Sequence, residues 1–220
     1  MDYFLGLFAE LGKGMGITLS LFALTLLFSI PLGFFGSQLS ISKYKPVKFI
    51  YNIYLVVMRG TPLILQVLFL YYGLNLFFQA VGVDFRMEKF QSALLSFVLN
   101  YTAYFSEIFR GGIQSINRGQ YEAASVLGLT KGMTTRKIVI PQVFKIVMPS
   151  LGNEVINLVK DTALVSILAL GDLLKLAYAA VTRDATIVPF IVAAIFYLAI
   201  NAIVTVVLKK IEKRMDYYRI

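Results

Sequence analysis

The stretch Ile17–Phe35, ITLSLFALTLLFSIPLGFF, contains no charged residue, and Pro189–Leu208 is a second stretch of the same kind. A helix of about 20 apolar residues crosses the ~30 Å hydrocarbon core of a bilayer, and it satisfies its own backbone hydrogen bonds there. In the 220-residue chain, 58% of residues are hydrophobic and 15% are charged, whereas soluble domains have roughly a quarter charged residues. The chain is therefore predicted to be an all-α, polytopic membrane protein.

Outward from these two blocks, the apolar pattern predicts a single membrane domain, residues 1–220, with five transmembrane helices. Their approximate bounds are 14–36, 62–80, 90–109, 143–170 and 187–208. The second apolar block begins at Val47 but is interrupted at Arg59–Pro62, because proline removes a backbone donor and disfavours helix at the preceding residue. We expect a separate cytoplasmic-side or interfacial helix over Val47–Met58, and a crossing that begins at Pro62.

Lysine and arginine are concentrated on one side of these spans. The segments 36–48, 110–145 and 209–220 contain three, six and five of them, and positive residues favour the cytoplasm. The N-terminus is therefore predicted outside and the C-terminus in the cytoplasm, with 110–142 as the largest cytoplasmic loop. The net charge of +9 follows from this bias, so no nucleic acid partner is expected.

The absence of Cys and His excludes thiol nucleophiles, histidine bases and Cys/His metal sites.

The cytoplasmic loop contains a short helical pattern, predicted over Tyr121–Leu129. Glu122, Ala123 and Ala124 open it, with the acid near the positive end of the helix, and Gly128 and Gly132 end or bend it. By composition alone this is an ordinary connecting loop or a rigid lever against a cytosolic partner, since loops on rigid scaffolds often carry function.

Four segments together resemble a known family. Glu122-Ala-Ala followed by Gly128, with Ile140-Pro141 further on, resembles the coupling-loop signature of ATP-binding-cassette (ABC) importer permeases. Three other segments resemble the polar amino acid uptake branch of that family, the histidine, glutamine and arginine type. They are Met58-Arg-Gly-Thr-Pro-Leu63, Tyr104-Phe-Ser-Glu-Ile-Phe-Arg-Gly-Gly-Ile113 and Lys160-Asp-Thr-Ala-Leu-Val165. The segments occur in family order over most of the chain.

The resemblance implies the type I ABC importer permease architecture and an alternating-access mechanism in the cell membrane. It implies three protein partners: a second permease subunit, cytosolic ABC ATPase subunits and an extracellular solute-binding protein. Coupling to the ATPase is then expected at Glu122, Ala123, Ala124, Gly128 and Leu129. Gly12-Lys13-Gly14 lacks the remaining glycine and the Ser/Thr of a phosphate-binding loop. The chain is therefore expected to be no enzyme and to hold no cofactor, with ATP and Mg²⁺ on the ATPase subunit.

Polar residues within the third and fourth spans are the candidates for substrate binding. Asn100, Tyr104 and Glu107 are spaced i, i+4, i+7 on one helix face, and Asp161 and Thr162 lie in the fourth span. A carboxylate at membrane depth is costly and normally faces a bundle interior or a watery cavity. The alternative is internal pairing, with Lys160 bridging Glu107 or Asp161, or Arg110 bridging Glu107. Gate or structural roles are expected for Arg59, Thr61 and Lys160.

An amino acid substrate would need acceptors for its ammonium and donors for its carboxylate. The acceptors would be Asp161 and Glu107. The donors would be Asn100, Tyr104 and Thr162. Two acids in one cavity would favour cationic side chains. The alternative function is an ion-gradient-driven secondary transporter or a channel, in which the buried acids would bind ions. Pro149 and Gly152 in the fourth span predict a kink or a helix that partly lines a cavity.

Overall fold

The computed structural model describes residues 2–215, and all regular structure in this part of the chain is helical. The first helices are α1 (Asp2–Gly12), α2 (Met15–Ser40), α3 (Lys45–Gly60), α4 (Leu63–Leu68), α5 (Leu74–Ala80) and α6 (Lys89–Gln114). They are followed by α7 (Arg118–Val126), α8 (Lys131–Thr134), α9 (Ile140–Asp161), α10 (Leu173–Asp184) and α11 (Val188–Met215). π-Helical turns join α4 to α5 and α8 to α9, and a 3₁₀ helix, Thr162–Leu168, continues α9. The end of the predicted cytoplasmic segment 209–220 lies outside the described residues.

Several of these helices are suited to cross a bilayer. Length and apolar composition identify three stretches, Asp2–Ser40, Leu63–Ala80 and Val188–Met215, and a fourth if Lys131–Leu168 and Leu173–Asp184, bent by 57°, form one span. Helix α6 has 26 residues but is more polar, so length and composition do not identify it as a span. The helical class is confirmed, whereas the number of five spans and their orientation stay predictions.

The break predicted at Arg59–Pro62 is confirmed. Helix α3 ends at Gly60, Thr61 and Pro62 are extended, and α4 begins at Leu63. In the fourth span, α9 runs through Pro149 as a helix and, as the sequence predicts, partly lines cavities, with Pro149 and Gly152 at one of them. The change of direction comes later, after the 3₁₀ helix, at Ala169, whose φ of 53° is left-handed. Helices α1 and α10, which flank the first and fifth predicted spans, were not predicted from the sequence.

Helix α2 buries mainly small residues and exposes several of its large ones. Its buried positions are Thr18, Leu21, Thr25, Ser29, Gly33, Gly36, Ser37 and Ser40. Large apolar side chains such as Leu27, Phe28 and Phe35 are exposed. This distribution suits a helix in lipid, because hydrocarbon is as apolar as leucine and helices associate through small residues that allow close approach.

The small residues of α2 allow it to pack directly against α6. A Cβ added at Gly33 would lie 2.5 Å from the Cβ of Phe105, and one at Gly36 would collide with the Tyr51 hydroxyl. That hydroxyl is 2.7 Å from the Oγ of Ser106, so α3 is fastened to the same part of α6. Helices α2, α3 and α6 thus form the platform on which the polar residues of α6 are held.

A side chain at position 33 should separate α2 from α6. For Gly33→Val we expect a loss of about 1–3 kcal/mol of unfolding free energy, as is typical of overpacking. Gly16→Ala on the same helix is the matched control, because a Cβ there meets nothing within 4 Å. Thermal unfolding in detergent should show a lower midpoint for Gly33→Val only; equal midpoints for both variants would contradict this packing.

Candidate functional site

A cavity of about 710 Å³ lies where the α3–α4 break faces α6 and the end of α9. Its lining residues are Arg59, Gly60, Thr61, Pro62, Leu63, Asn100, Tyr101, Tyr104, Glu154, Asn157, Lys160, Asp161 and Leu164. Two cationic side chains, Arg59 and Lys160, and two acidic ones, Glu154 and Asp161, give the lining a balanced charge. The cavity therefore offers both acceptors for a cationic group and donors for an anionic group.

The helix break at this cavity is held by side-chain hydrogen bonds. Pro62 lacks the N–H that would bond the carbonyl of Met58 four residues earlier in a continuous helix. Asn100 Nδ2 and Gln66 Nε2 both donate to this carbonyl instead, each at 2.9 Å. Gln66 Nε2 also donates to Thr61 Oγ1 at 2.8 Å, and Gln66 Oε1 accepts from Asn100 at 3.0 Å. Thr61 and Asn100 thus stabilise the break that shapes the cavity.

Asp161 is fixed by a residue that sequence reasoning missed. The Tyr101 hydroxyl donates to Asp161 Oδ2 at 2.7 Å, and Tyr101 itself is buried among the aromatic residues of α6. No sequence signal distinguished Tyr101 from an ordinary core aromatic. Gln66 was also missed, although a lone amide in an apolar stretch four residues after Pro62 was a usable signal.

The predicted residues divide between two cavities. Asn100, Tyr104 and Asp161 line the 710 Å³ cavity, but Glu107 lines a neighbouring one of about 620 Å³. Arg59 lines both, with its guanidinium 5.6 Å from the Tyr104 ring centre and 3.8 Å from Glu107 Oε1. Thr162 is fully buried, donates to the Val159 carbonyl at 2.6 Å, and does not line the larger cavity.

The internal pairing considered for Glu107 is present. Arg110 binds both carboxylate oxygens of Glu107, with Nε 2.9 Å from Oε2 and a short contact from its second guanidinium nitrogen to Oε1. Within residues 2–215, Lys160 makes no ion pair with Glu107 or Asp161. Lys160 is instead an exposed member of the larger cavity's lining.

The loop helix differs in detail from the prediction. Helix α7 begins at Arg118, where Asn117 Oδ1 accepts from the Gly119 N–H at 2.8 Å, so Glu122 lies beyond its first turn. It ends at Val126, earlier than the predicted Leu129. Ala123 is exposed whereas Ala124 is buried, so the two alanines do not share one contact surface.

The end of α7 presents an apolar tip. Gly128 has a φ of +71°, its N–H bonds the Ser125 carbonyl, and the Leu129 N–H bonds the Ala124 carbonyl, which is the Schellman arrangement. Ahead of this cap, Val126 and Leu127 are 89% and 76% exposed. Apolar side chains this exposed, on a rigidly capped helix, are suited to a protein partner.

Residues 14–217 match the family described as binding-protein-dependent transport system inner membrane component. The chain belongs to this family. It is 36% identical to an arginine transport system permease protein of Bacillus subtilis, over 92% of this chain and 91% of the relative. It is 34% identical to an L-cystine transport system permease protein of the same organism, over 94% and 87% of the two chains. It is thus a multi-pass permease subunit of the cell membrane.

A solved structure agrees with this membership. A chain from a crystal structure of an amino acid ABC transporter with histidines superposes with a TM-score of 0.83 at 32% identity. The match covers 97% of this chain and 96% of that one. The fold is therefore that of an ABC transporter permease along nearly the whole chain.

Removing Gln66 should weaken the helix break. Gln66→Leu takes one of two donors from the Met58 carbonyl and deprives Asn100 of an acceptor; an unsatisfied buried polar group costs about 1–3 kcal/mol. We expect a lower thermal midpoint in detergent. Gln79→Leu on α5 is the matched control, since Gln79 is exposed, and an equal drop in both variants would show that the bonds at the break contribute nothing specific.

Proposed function

We propose that this permease forms the pathway of an ATP-driven importer for polar amino acids. The observation that carries the proposal is the charge-balanced cavity at the α3–α4 break in a chain of this family. An amino acid backbone is a zwitterion, and a lining with two cations and two acids matches both of its charges. The names of the relatives, which transport arginine and cystine, support this substrate class.

Within the cavity, the roles follow from the contacts. Asp161, held by Tyr101, and Glu154 accept from the substrate's cationic groups, while Arg59 and Lys160 bind its carboxylate. Tyr104 supplies a hydroxyl and an aromatic wall. Asn100 and Thr61 position the break, and Thr162 and Glu107 act from outside this cavity. Because Arg59 and Lys160 balance the two acids, the cavity favours polar zwitterions in general. A preference for cationic amino acids depends on Glu154, since Asp161 is already held by Tyr101.

In the proposed topology, the single domain of residues 1–220 crosses the membrane five times, with its N-terminus outside and its C-terminus in the cytoplasm. The distribution of Lys and Arg supports the orientation. The third of these crossings, about 90–109, corresponds to α6, whose buried face supplies the cavity's Asn100 and Tyr101.

A second permease subunit covers the cavity. Arg59 and Lys160 are exposed on the single chain, although Lys160 stands within the span predicted over 143–170 and Arg59 stands at the break just before the span predicted over 62–80. Charged side chains in a membrane face a protein interior or a water-filled cavity instead of lipid. A paired subunit, identical or related, would enclose these groups and complete one pathway at the interface.

The loop 110–142 couples ATP hydrolysis on a partner subunit to transport. The exposed apolar tip at Val126 and Leu127, with Glu122 and Ala123 beside it, docks on a cytosolic ABC ATPase subunit that binds ATP and Mg²⁺. Gly128 and Leu129 form the cap that holds this tip, and Ala124 anchors it from the buried side. An extracellular solute-binding protein delivers the amino acid when the pathway opens outward. This chain itself catalyses no reaction and holds no cofactor.

Uptake of radiolabelled amino acids into proteoliposomes, with ATP and the binding protein present, tests the substrate assignment. Glu154→Gln removes one acid while keeping the side-chain shape, and a hydrogen bond to a charged group contributes about 1.5–3 kcal/mol. We expect the apparent affinity for arginine to fall roughly ten-fold or more, with a smaller change for glutamine. ATP-independent uptake would contradict the proposed function, whereas equal effects on both amino acids would contradict the role of Glu154 in a cationic preference.

The cap of α7 offers a test of coupling. A Cβ at Gly128 meets nothing within 4 Å, so a substitution acts through the left-handed backbone, which costs an ordinary L-residue about 1–2 kcal/mol. Gly128→Val should insert normally and leave ATP hydrolysis running while uptake falls about five- to thirty-fold. Gly128→Asn is the control, because asparagine tolerates this conformation. Normal uptake by the valine variant would remove the coupling role.

A further inference from the structure

The 620 Å³ cavity beside the proposed pathway has an excess of positive charge. It is lined by Ser40, Lys48, Asn52, Leu55, Val56, Arg59, Gly60, Glu107, Arg110 and Gln114. Three of these side chains are cationic and one is acidic. The single acid, Glu107, is already bound by Nε and one terminal nitrogen of the Arg110 guanidinium, whose other terminal nitrogen donates to Gln114. Arg59 makes only a loose contact with Glu107, at 3.8 Å, and within residues 2–215 Lys48 makes no ion pair, so the charge of these two side chains is available to an anionic ligand.

Donors for an oxyanion are present on one face of α3. Lys48, Asn52 and Arg59 are spaced i, i+4 and i+11, so their side chains lie on the same side of the helix. The Oδ1 of Asn52 accepts from the Ser40 hydroxyl at 3.2 Å. Within residues 2–215 the amide nitrogen of Asn52 makes no hydrogen bond, and Lys48 makes no ion pair. These groups would bind the oxygens of a phosphate.

The same cavity opens onto an apolar stripe. Val56, at its edge, is exposed, and Phe49 and Ile53 continue from it along α3 at i−7 and i−3, both exposed. A small soluble anion would leave this stripe unused. A phospholipid combines an anionic headgroup with acyl chains and would contact both parts, and basic pockets between helices on the cytoplasmic side are suited to such headgroups.

We propose that the cavity at Lys48, Asn52 and Arg59 binds the headgroup of an anionic phospholipid, whose acyl chains lie on Val56, Ile53 and Phe49. Because Arg59 also lines the substrate cavity, the bound lipid would orient a residue of the pathway. The leaflet is the cytoplasmic one, which rests on the proposed orientation of the chain. Lipid retention is measured without transport, so failure of this proposal would leave the proposed import function untouched.

The test uses the permease co-purified with its ATPase subunit and placed in nanodiscs of phosphatidylcholine with or without phosphatidylglycerol. Native mass spectrometry then counts the phosphatidylglycerol molecules retained by each permease. Removing one basic residue near a membrane surface should lower retention about five-fold, so we expect this for Lys48→Ala and roughly 25-fold for Lys48→Glu. Lys48→Arg, which keeps the charge, should retain the lipid.

Lys43→Ala is the matched control, because Lys43 is an exposed lysine in the α2–α3 turn outside the cavity lining. Equal losses in Lys43→Ala and Lys48→Ala would indicate general surface attraction and overturn the site. Val56→Gln should weaken retention of phosphatidylglycerol without affecting any binding of inorganic phosphate.

Two other occupants give distinct results. Lys48-dependent binding of inorganic phosphate, without preference for phosphatidylglycerol, would assign the cavity to a soluble anion and overturn the lipid proposal. The chain contains no cysteine, so Val56→Cys is a single reporter. Its efficient disulfide cross-linking to a second copy would show that the stripe is a subunit contact, which also overturns the proposal.

Discussion

The carbonyl of Met58 loses its helical donor at Pro62, and the site depends on how that carbonyl is satisfied. In hydrocarbon no water is available to bond a free backbone group, so the protein must supply the partner. Asn100 and Gln66 do so from two directions. Their bonds hold the break between α3 and α4 and tie it to α6. The cavity lies at this junction because an interrupted helix needs polar neighbours, and those neighbours give the cavity part of its polar lining.

The platform beneath the break follows from the small residues of α2. Gly33 and Gly36 let α2 approach the backbone of α6. Beside Gly36, the hydroxyl of Ser106 on α6 is hydrogen-bonded to the hydroxyl of Tyr51 on α3. With α6 held on one side, Tyr101 can reach across to Asp161 on α9. The close packing of α2 on α6 thus helps to orient the Asp161 carboxylate, although α2 itself makes few contacts with α9.

Arg59 links the two cavities electrostatically. On one side it belongs to a lining of two cations and two acids, and on the other to a lining with an excess of cations. Its contacts with the Tyr104 ring and with Glu107 are both loose, at 5.6 Å to the ring centre and 3.8 Å. A guanidinium held this way can change partners at low cost, which suits a residue between the proposed substrate cavity and the proposed lipid site.

The sequence by itself determined the helical membrane class, the family, the break at Arg59–Pro62 and the presence of a short helix in the loop 110–142. These features depend on composition, on proline chemistry and on the spacing of neighbouring residues, none of which requires knowledge of tertiary contacts. Only the tertiary structure decided that Glu107 pairs with Arg110 outside the main cavity, that Thr162 is buried, and that Tyr101 and Gln66 hold the site. Helical spacing places residues on a face but does not say what that face meets, because the partner comes from a helix distant in sequence. Asp161 and Tyr101 are 60 residues apart, and only packing brings them to hydrogen-bonding distance.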